Sequence, residues 1–489
     1  MSKRIIELRY IFGLKLKEIR QEQGITYQEL SKKSGLSVSY LSEIENGKKY
    51  PKGDKISQLA DALETSYDTL VSLKVPKKLE PIIEVIESDF MKHFPLEDFG
   101  LNPQKVIEVV AQDPVKINAF IQTIQQVARN HDLGSSQFYY AALKTFQELQ
   151  ENYFEDLELV VEEIHMEFIE LAEVPFAPKT IEHVLRAIGV RTERKILAKI
   201  DALNNLRSLY HPEQRLLMLN GGLNKAQENF LMGREIAFQW LKLKARPLST
   251  PPYGDYSFEE ILNNYKASYF SAALLMPKNE VIKDIREFAS SKRWNPSDFI
   301  RLTSNYEATP EMVMQRLTNI LPTFFKLKNL FFLRILHSGG HYNLTKELHL
   351  SNQHSPYGNE INEHYCRRWL GIKTIQKLEA DISQRIVADA QLSKYHDSQN
   401  EYFCLSMAFP NVSNEKESIS VTIGFQKDRA LKNKFEFIED EEIAHEEVNI
   451  TCERCPIVDC KVRAAQPLVD QHNSKMERAL EAIDQILGD

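Results

Sequence analysis

Short apolar blocks with helical spacing, each ended by a turn or capping residue, fill the first 75 residues and restrict them to a bundle of short helices. Apolar side chains between residues 10 and 73 recur three and four positions apart, as they do on one face of an α-helix. Gly, Ser, Thr and Asp stand between the blocks, where helices begin and end. The pattern predicts five short helices, with breaks at Gly35 and at Asn46-Gly47.

Positive charge is concentrated in the same segment. Residues 1–78 contain 15 Lys and Arg against 10 Asp and Glu, whereas the whole chain carries a formal net charge of −8. A chain with this overall charge is not drawn to a phosphate backbone as a whole, so contact with nucleic acid has to be local. The distribution therefore favours double-stranded DNA as a partner of the N-terminal segment.

The third predicted helix has the pattern of a DNA-recognition helix. Such a helix exposes short or polar side chains in its first turn, where they reach base edges, while its apolar face stays docked on the preceding helix. Leu41 and Ile44 have the spacing of that apolar face. The candidate DNA-binding residues are Gln28, Ser37, Val38, Ser39, Tyr40, Ser42, Glu43, Asn46 and Lys48.

Three stretches of this segment resemble the XRE (Cro/repressor-like) helix-turn-helix family. They are ITYQELS at 25–31, GLSVSYLS at 35–42 and IENGK at 44–48. The resemblance implies a domain over residues 1–75 that places one helix in the major groove of DNA. A five-helix module that docks on other proteins is the open alternative.

Residues 76–173 are predicted to form a helical linker and dimerisation region. A hinge at residues 133–136 precedes one long helix from about 138 to 172. Its aromatic residues recur at helical spacing, which is typical of a core or of a dimer interface. A homodimer is expected on another ground, because one recognition helix contacts too few base pairs for useful specificity and a second copy doubles the site.

Residues 174–325 change to an α+β pattern. Two short strands near 206–210 and 215–219 are followed by a helix over about 225–243. These elements and the stretch SYFSAALLMP at 268–277 resemble the ImmA/IrrE metallopeptidase-like family. In that family the helix carries an H-E-x-x-H motif, in which two histidines bind zinc and the glutamate acts as a general base.

The zinc motif is degenerate in this chain. The matching stretch runs Arg234-Glu235-Ile236-Ala237-Phe238, and Lys266 stands where the resemblance places a third ligand. Without zinc ligands no water is activated, so we expect no enzymatic activity. A basic and aromatic cleft would suit an anionic small molecule, although ion pairing for Arg234 and core packing for Phe238 remain open. The candidate ligand-binding residues are Arg234, Phe238, Lys266 and Tyr269.

Three of the five cysteines lie within nine residues near the end of the chain. Cys452, Cys455 and Cys460 form a Cys-x2-Cys-x4-Cys loop whose thiolates can converge on one metal centre. A structural zinc needs a fourth ligand, which Cys366, Cys404, a histidine or an external group could supply, whereas a [4Fe–4S] cluster can leave one iron open. The spacing does not decide between zinc and iron–sulfur.

The stretch CERCPIVDCKVRAA at 452–465 is similar to the C-terminal signature of the short-chain fatty acyl-CoA regulators, the ScfR/PrpR-like group. The order of the regions is also the same. The resemblance implies short-chain acyl-CoA as effector, a [4Fe–4S] cluster on the three loop cysteines, and control of genes for short-chain fatty acid, propionate or glyoxylate metabolism. Two alternatives stay open: an ImmA/IrrE-type peptidase regulator and a zinc-stabilised DNA-binding adaptor.

These patterns predict a multidomain chain, mainly α with α+β regions. No run of about 18 uncharged apolar residues is present, so we expect no membrane span. The small number of cysteines fits a reducing cytoplasm. The predicted domains are the helix-turn-helix (1–75), the linker (76–173), the degenerate metallopeptidase-like domain (174–325) and a C-terminal mixed sensor domain with the cysteine cluster (326–489).

Overall fold

The computed structural model describes residues 3–72, 135–168, 173–203, 205–254, 256–350, 363–381, 383–396, 400–411, 414 and 416–488. The chain divides into two compact units, Met1–Ala142 and Leu143–Asp489. Most of the predicted linker, residues 73–134, lies outside the described residues. The prediction that this segment forms a dimer interface therefore stays a prediction.

The first unit contains the five predicted helices. Their apolar faces meet in one small core that includes Leu16, Leu30, Leu41 and Leu59. The helices are α1 (Lys3–Glu22), α2 (Tyr27–Ser34), α3 (Val38–Glu45), α4 (Gly53–Ala62) and α5 (Tyr67–Val71). Each of the helices α2 to α5 begins after a capping residue with extended backbone, and Gly35 ends α2 with a φ of 71°.

Helix α1 passes very close to the end of α3 at Gly13. A Cβ atom at this position would lie 2.8 Å from the Glu45 carbonyl oxygen and closer still to that of Ile44. Because backbone atoms cannot move aside as a flexible side chain can, only glycine fits here. The contact sets how α3 sits on the rest of the unit.

One long helix was expected from about 138 to 172, and this prediction is wrong. The structure has two helices, α6 (Ser135–Leu149) and α7 (Glu155–Glu167). The break falls at Glu151 and Asn152, whose φ angles of 50° and 53° are left-handed and end a helix. The Asn152 amide oxygen accepts a hydrogen bond of 2.6 Å from the Tyr265 hydroxyl, which holds the turn against the core.

A small mixed sheet with flanking helices follows. Its strand order is β1-β3-β2-β4, with β1 parallel to β3 and the other neighbours antiparallel. Two short 3-10 helices separate β1 from β2. The elements are α8 (Pro178–Ala187), β1 (Arg191–Glu193), β2 (Ser208–His211), β3 (Leu216–Leu219), α9 (Lys225–Trp240), β4 (Ser249–Thr250), α10 (Phe258–Leu275), α11 (Lys278–Ala289), α12 (Pro296–Asn305) and α13 (Pro310–Phe324).

The remaining strands form a six-stranded sheet of order β10-β7-β8-β9-β5-β6. Only the β10 and β7 pair is parallel among its neighbours. The elements are β5 (Leu330–Ser338), β6 (His341–His349), α14 (Leu370–Ala380), β7 (Val387–Tyr395), β8 (Glu401–Pro410), β9 (Ser418–Gln426), α15 (Arg429–Lys432), β10 (Ala444–Val448) and α16 (Leu468–Gly488).

Both faces of this sheet are covered. Alternate residues of β8 belong to different apolar clusters: Phe403 and Leu405 pack with the helices before the sheet, and Tyr402 and Cys404 pack with α14. Helix α14 comes very close at Gly371, where a Cβ atom would lie 2.8 Å from the Thr422 hydroxyl oxygen. The central strands are therefore buried almost continuously.

The largest apolar cluster extends from Phe154 to Ile443 and includes residues of α7 to α13 and of β7 to β9. The predicted division at residues 325 and 326 thus falls inside one continuous core. The four-domain division itself stays a prediction.

No helix within the described residues is both long enough and apolar enough to cross a bilayer.

Candidate functional site

The first turn of α3 presents its side chains outward, while the rest of the helix is anchored in the core. Ser37 caps the helix, because its hydroxyl accepts the Tyr40 backbone N–H at 3.2 Å. Val38 is 41% exposed although it is apolar, whereas Leu41 and Ile44 are fully buried. This is the arrangement that a major-groove reader needs.

Some of the predicted DNA-binding side chains already form hydrogen bonds or ion pairs within the protein, and others do not. Glu43 forms an ion pair with Lys49 at 2.7 Å, and the Asn46 amide donates to the Ser42 hydroxyl at 3.3 Å. The residues that remain exposed, with no side-chain hydrogen bond to the described part of the chain, are Gln28, Ser39 and Lys48. A ligand can contact these three side chains without the loss of a hydrogen bond or ion pair within the protein.

A buried ion pair holds α3 in place from behind. The Arg20 guanidinium on α1 donates two hydrogen bonds, of 2.6 and 2.8 Å, to the Glu45 carboxylate at the end of α3. The Tyr27 hydroxyl on α2 donates to the same carboxylate at 2.7 Å. Burial and the neighbouring carboxylate raise the pKa of Tyr27 to about 12, so it stays a donor. One carboxylate therefore ties three helices together.

The degenerate zinc motif lies on α9, and its side chains contact neighbouring residues through hydrogen bonds and a salt bridge. Arg234 is buried; its guanidinium donates to the Thr250 hydroxyl at 2.9 Å and to the Asn264 side-chain carbonyl. Burial, with Arg246 nearby, lowers the pKa of Arg234 to about 10. A cation thus stands where the related motif has its first histidine.

Glu235, the residue retained from the motif, is bound in a salt bridge. The Arg246 guanidinium donates to its two carboxylate oxygens at 2.9 and 2.7 Å, and the Gln239 amide donates to it at 2.7 Å. The same guanidinium lies 3.6 Å from the centre of the Phe238 ring. Glu235 is therefore held as a structural partner and not presented to a water molecule.

The four predicted ligand-binding residues do not meet in one place. The Tyr269 hydroxyl donates to the buried Glu158 carboxylate at 2.7 Å and accepts the Phe154 N–H at 3.2 Å. Lys266 is half-buried on α10 and shares no hydrogen bond or ion pair with Arg234 or Phe238 in the described part of the chain.

An open cleft lies beside the end of α9 and contains Phe238 alone of those four residues. It has a volume of about 860 Å³. Its lining contains four cations (Arg215, Lys242, Lys244 and Arg246) and three aromatic rings (Tyr210, Phe238 and Trp240). No acidic side chain lines it among the described residues.

Two of the four cations already have partners. Arg215 donates to the carbonyl oxygens of Ile188 and Gly189 at 2.7 and 2.9 Å, and Arg246 pairs with Glu235. Lys242 and Lys244 have no ion pair with the described residues. These two amines are the cations that the cleft offers to a ligand.

Comparison with known proteins bears on the two regions just described. The helix-turn-helix family model matches residues 16–70. The HTH-type transcriptional regulator y4dJ of Sinorhizobium fredii is 34% identical over 67 residues, which are 14% of this chain and 87% of that protein. The chain belongs to the helix-turn-helix family of transcriptional regulators.

A second relative of this helix-turn-helix regulator is the transcriptional repressor RghR of Bacillus subtilis. It is 41% identical over 61 residues, which are 12% of this chain and 45% of RghR, so the chain spans less than half of that relative. The XRE type of the first domain, predicted from the sequence, is confirmed by these matches.

The peptidase-like prediction is also supported at the level of the domain. The IrrE N-terminal-like domain model (Peptidase M78) matches residues 193–318 of the regulator. A solved Mycobacterium tuberculosis transcriptional regulator is similar with a TM-score of 0.48 and 18% sequence identity, over 67% of this chain and 93% of that chain.

The cysteine loop follows β10 in the same regulator. Cys452 and Cys455 are buried, Cys460 is half-buried, and all three are free thiols. Within the described residues, no three His, Cys, Asp or Glu side chains already converge on one point as a metal site does. The metal centre therefore stays a proposal.

Two buried charges of the first unit were not predicted from the sequence. Arg20 and Glu45 were not singled out, although each stands at a position where helical spacing expects an apolar side chain. A charged residue at such a position is the signal that could have found them, because buried charges are normally paired.

Proposed function

We propose that this regulator binds an operator as a homodimer and senses short-chain acyl-CoA. Its target genes would be those of short-chain fatty acid, propionate or glyoxylate metabolism. A [4Fe–4S] cluster on Cys452, Cys455 and Cys460 completes the proposal, and zinc is the alternative metal. Its location would be the cytoplasm.

The DNA-binding part of the proposal is supported by the exposed first turn of α3, a helix that the rest of the domain holds in place. Gln28, Ser39 and Lys48 are exposed and unengaged, while the Arg20 and Glu45 ion pair fixes the helix that presents them. A single helix contacts few base pairs, so two copies on an inverted repeat would supply the specificity that one lacks.

The cleft beside α9 supports an anionic effector. An acyl-CoA carries phosphates, an adenine ring and a short apolar chain, and the cleft combines cations with aromatic and aliphatic side chains. The volume of about 860 Å³ falls within the roughly 300–1,000 Å³ range of small-molecule sites. Lys242 and Lys244 would hold the phosphates, because their amines are not committed to other residues.

Peptidase activity has weaker support than effector binding. The matching domain model is compatible with the peptidase alternative. Arg234 and Phe238 lack the imidazole nitrogens that bind zinc, and Glu235 is held by Arg246. The named relatives that match the first domain are transcriptional regulators.

Removing both uncommitted lysines tests the effector site. The Lys242→Ala/Lys244→Ala variant should bind propionyl-CoA at least about tenfold more weakly than wild type, because each charge-assisted hydrogen bond contributes about 1.5–3 kcal/mol. Calorimetric titration of the full chain with propionyl-CoA measures this. The matched control is Lys225→Ala, an exposed lysine at the start of α9 that is 3.9 Å from Glu307 and outside the cleft. Equal affinities of wild type and the double variant would contradict this site.

A further inference from the structure

A short antiparallel pairing brings a distant cysteine to the cysteine loop. The Cys366 N–H donates to the Ile450 carbonyl at 3.1 Å, and the Cys452 N–H donates to the His364 carbonyl at 2.8 Å. Tyr365 and Thr451 are the bridged pair between them. In antiparallel pairing, residues on either side of a bridged pair project from the opposite face to that pair, so Cys366 and Cys452 lie diagonally on one shared face.

The thiols of Cys366 and of the first two loop cysteines are buried. Cys366 is 6% exposed, and Cys452 and Cys455 are each 5% exposed. The backbone pairing places Cys366 beside the loop.

Hydrogen bonds from Arg463 and Ala464 hold the cysteine loop in an environment that stabilises thiolates. The Arg463 guanidinium donates to the carbonyl oxygens of Cys452 at 2.9 Å, Cys455 at 3.1 Å and Ile457. The Ala464 N–H donates to the Cys452 sulfur at 3.3 Å. Hydrogen bonds to sulfur and a nearby cation both stabilise a thiolate over a thiol.

Cys404 is the other buried thiol, and its position is different. It lies in the middle of β8, opposite Gln391 of β7 and Gly424 of β9. Its sulfur points to the Tyr402 carbonyl at 3.9 Å, and no hydrogen bond joins it to the loop in the part of the chain that the structure describes. Cys404 is therefore a sheet-interior residue.

We propose that Cys366 supplies the fourth thiolate of the metal centre formed with Cys452, Cys455 and Cys460. This inference rests on the proposed metal centre and completes it, since a structural zinc takes four protein ligands and a fully ligated [4Fe–4S] cluster takes four cysteines. The four thiols do not yet converge on one point, so binding of the metal would draw the loop toward the 364–366 strand.

Three single variants of the full chain, purified without oxygen, test the assignment. Iron, sulfide and zinc are measured per chain, together with the visible absorbance of an iron–sulfur cluster. Loss of a residue that merely orients a ligand weakens metal binding about 10–100-fold, so loss of a direct ligand should exceed that. Cys455→Ser and Cys366→Ser should both lose the metal, and the control Cys404→Ser should keep it at the wild-type ratio.

The outcomes separate the two proposals. A wild-type chain without iron or zinc would overturn the metal centre, and with it the role of Cys366. A Cys366→Ser variant that keeps the full metal content while Cys455→Ser loses it would overturn the role of Cys366 alone.

A measurement on the wild-type chain covers the case in which Cys366→Ser fails to fold. X-ray absorption of the zinc-loaded protein counts the sulfur ligands directly. Four sulfurs at about 2.3 Å would support the assignment. Three sulfurs with one nitrogen or oxygen would overturn it while leaving the metal centre in place.

Discussion

Replacing Glu45 with Ala is expected to destabilise the first three helices by about 3–5 kcal/mol, because the Arg20 guanidinium is then left in the core without its counter-charge. Both side chains are almost fully buried, at 10% and 0% exposure. The change also removes the acceptor of the Tyr27 hydroxyl. Hydrogen–deuterium exchange of peptides from α1 to α3 in the full chain reports this local unfolding free energy.

Two controls make the Glu45 result specific. Lys49→Ala removes the exposed ion pair with Glu43, and should cost no more than about 1 kcal/mol. The double variant Arg20→Met/Glu45→Leu should recover most of the loss, because it removes both buried charges together. If Glu45→Ala exchanges no faster than Lys49→Ala, the ion pair does not hold α3.

A second large effect is expected in the other unit from Arg316→Met. The Arg316 guanidinium is fully buried and donates to the Glu158 carboxylate at 2.5 and 2.9 Å and to the Met276 carbonyl at 3.0 Å. Among the described residues, the variant leaves the buried Glu158 carboxylate with the Tyr269 hydroxyl as its remaining side-chain donor. We expect a loss of about 3–5 kcal/mol at neutral pH.

Tryptophan fluorescence during urea unfolding of the full chain measures this loss. All three tryptophans of the chain, at positions 240, 294 and 369, lie in the second unit, so the signal reports that unit alone. The control is Arg301→Met, which removes an exposed arginine that is 3.2 Å from Asp298 and should cost less than about 1 kcal/mol. Equal unfolding midpoints for the two variants would show that the buried ion pair does not contribute to the stability of the second unit.

The contribution of Glu158 to the free energy of unfolding should change with pH in opposite directions in the Arg316→Met variant and in wild type. Burial alone raises the pKa of Glu158, but in wild type Arg316 holds it below its ordinary value. Wild type therefore loses this contribution as the pH falls through the folded pKa. In the variant the folded pKa is raised instead, so the contribution is present at low pH and is lost as the pH rises through that pKa.

The first domain could be predicted well because its signals are local. Helical spacing, the Thr26 cap and the glycine at 35 each act over a few residues, and together they place α2 and α3 within two residues of their observed ends. The exposed first turn of α3 follows from the same local pattern. The ion pair behind it does not, because Arg20 and Glu45 are 25 positions apart and nothing local pairs them.

The second unit was harder because its structure depends on distant pairings. Strands β5, β8 and β9 are apolar runs in the sequence, but their order across the sheet is set by partners far along the chain. The helix predicted across residues 150–154 failed for a related reason. Asn152 is held in its left-handed turn by Tyr265, which no local pattern reveals.

The ligand-binding residues predicted by analogy with the family motif differ from most of those that line the cleft. The motif directed attention to Arg234, Lys266 and Tyr269, yet Arg234 is engaged with Thr250 and Asn264, and Tyr269 belongs to the network around Glu158. Two lysines just beyond the helix end, at 242 and 244, face the cleft instead. Loop residues of this kind carry no periodic signal, so only the folded chain identifies them.

The affinity of the full chain for operator DNA, with and without propionyl-CoA, tests the central claim most directly. The operator is first selected from a random double-stranded library, and affinity is measured by fluorescence anisotropy. Propionyl-CoA should change the affinity of the wild-type chain for the operator, which is the result that acyl-CoA sensing requires. The variant Gln28→Ala/Ser39→Ala should bind the operator less tightly, since each base contact is worth about 1–3 kcal/mol, while Gln58→Ala on α4 should bind as wild type does. Operator binding that is unaffected by both the double variant and propionyl-CoA would contradict this claim.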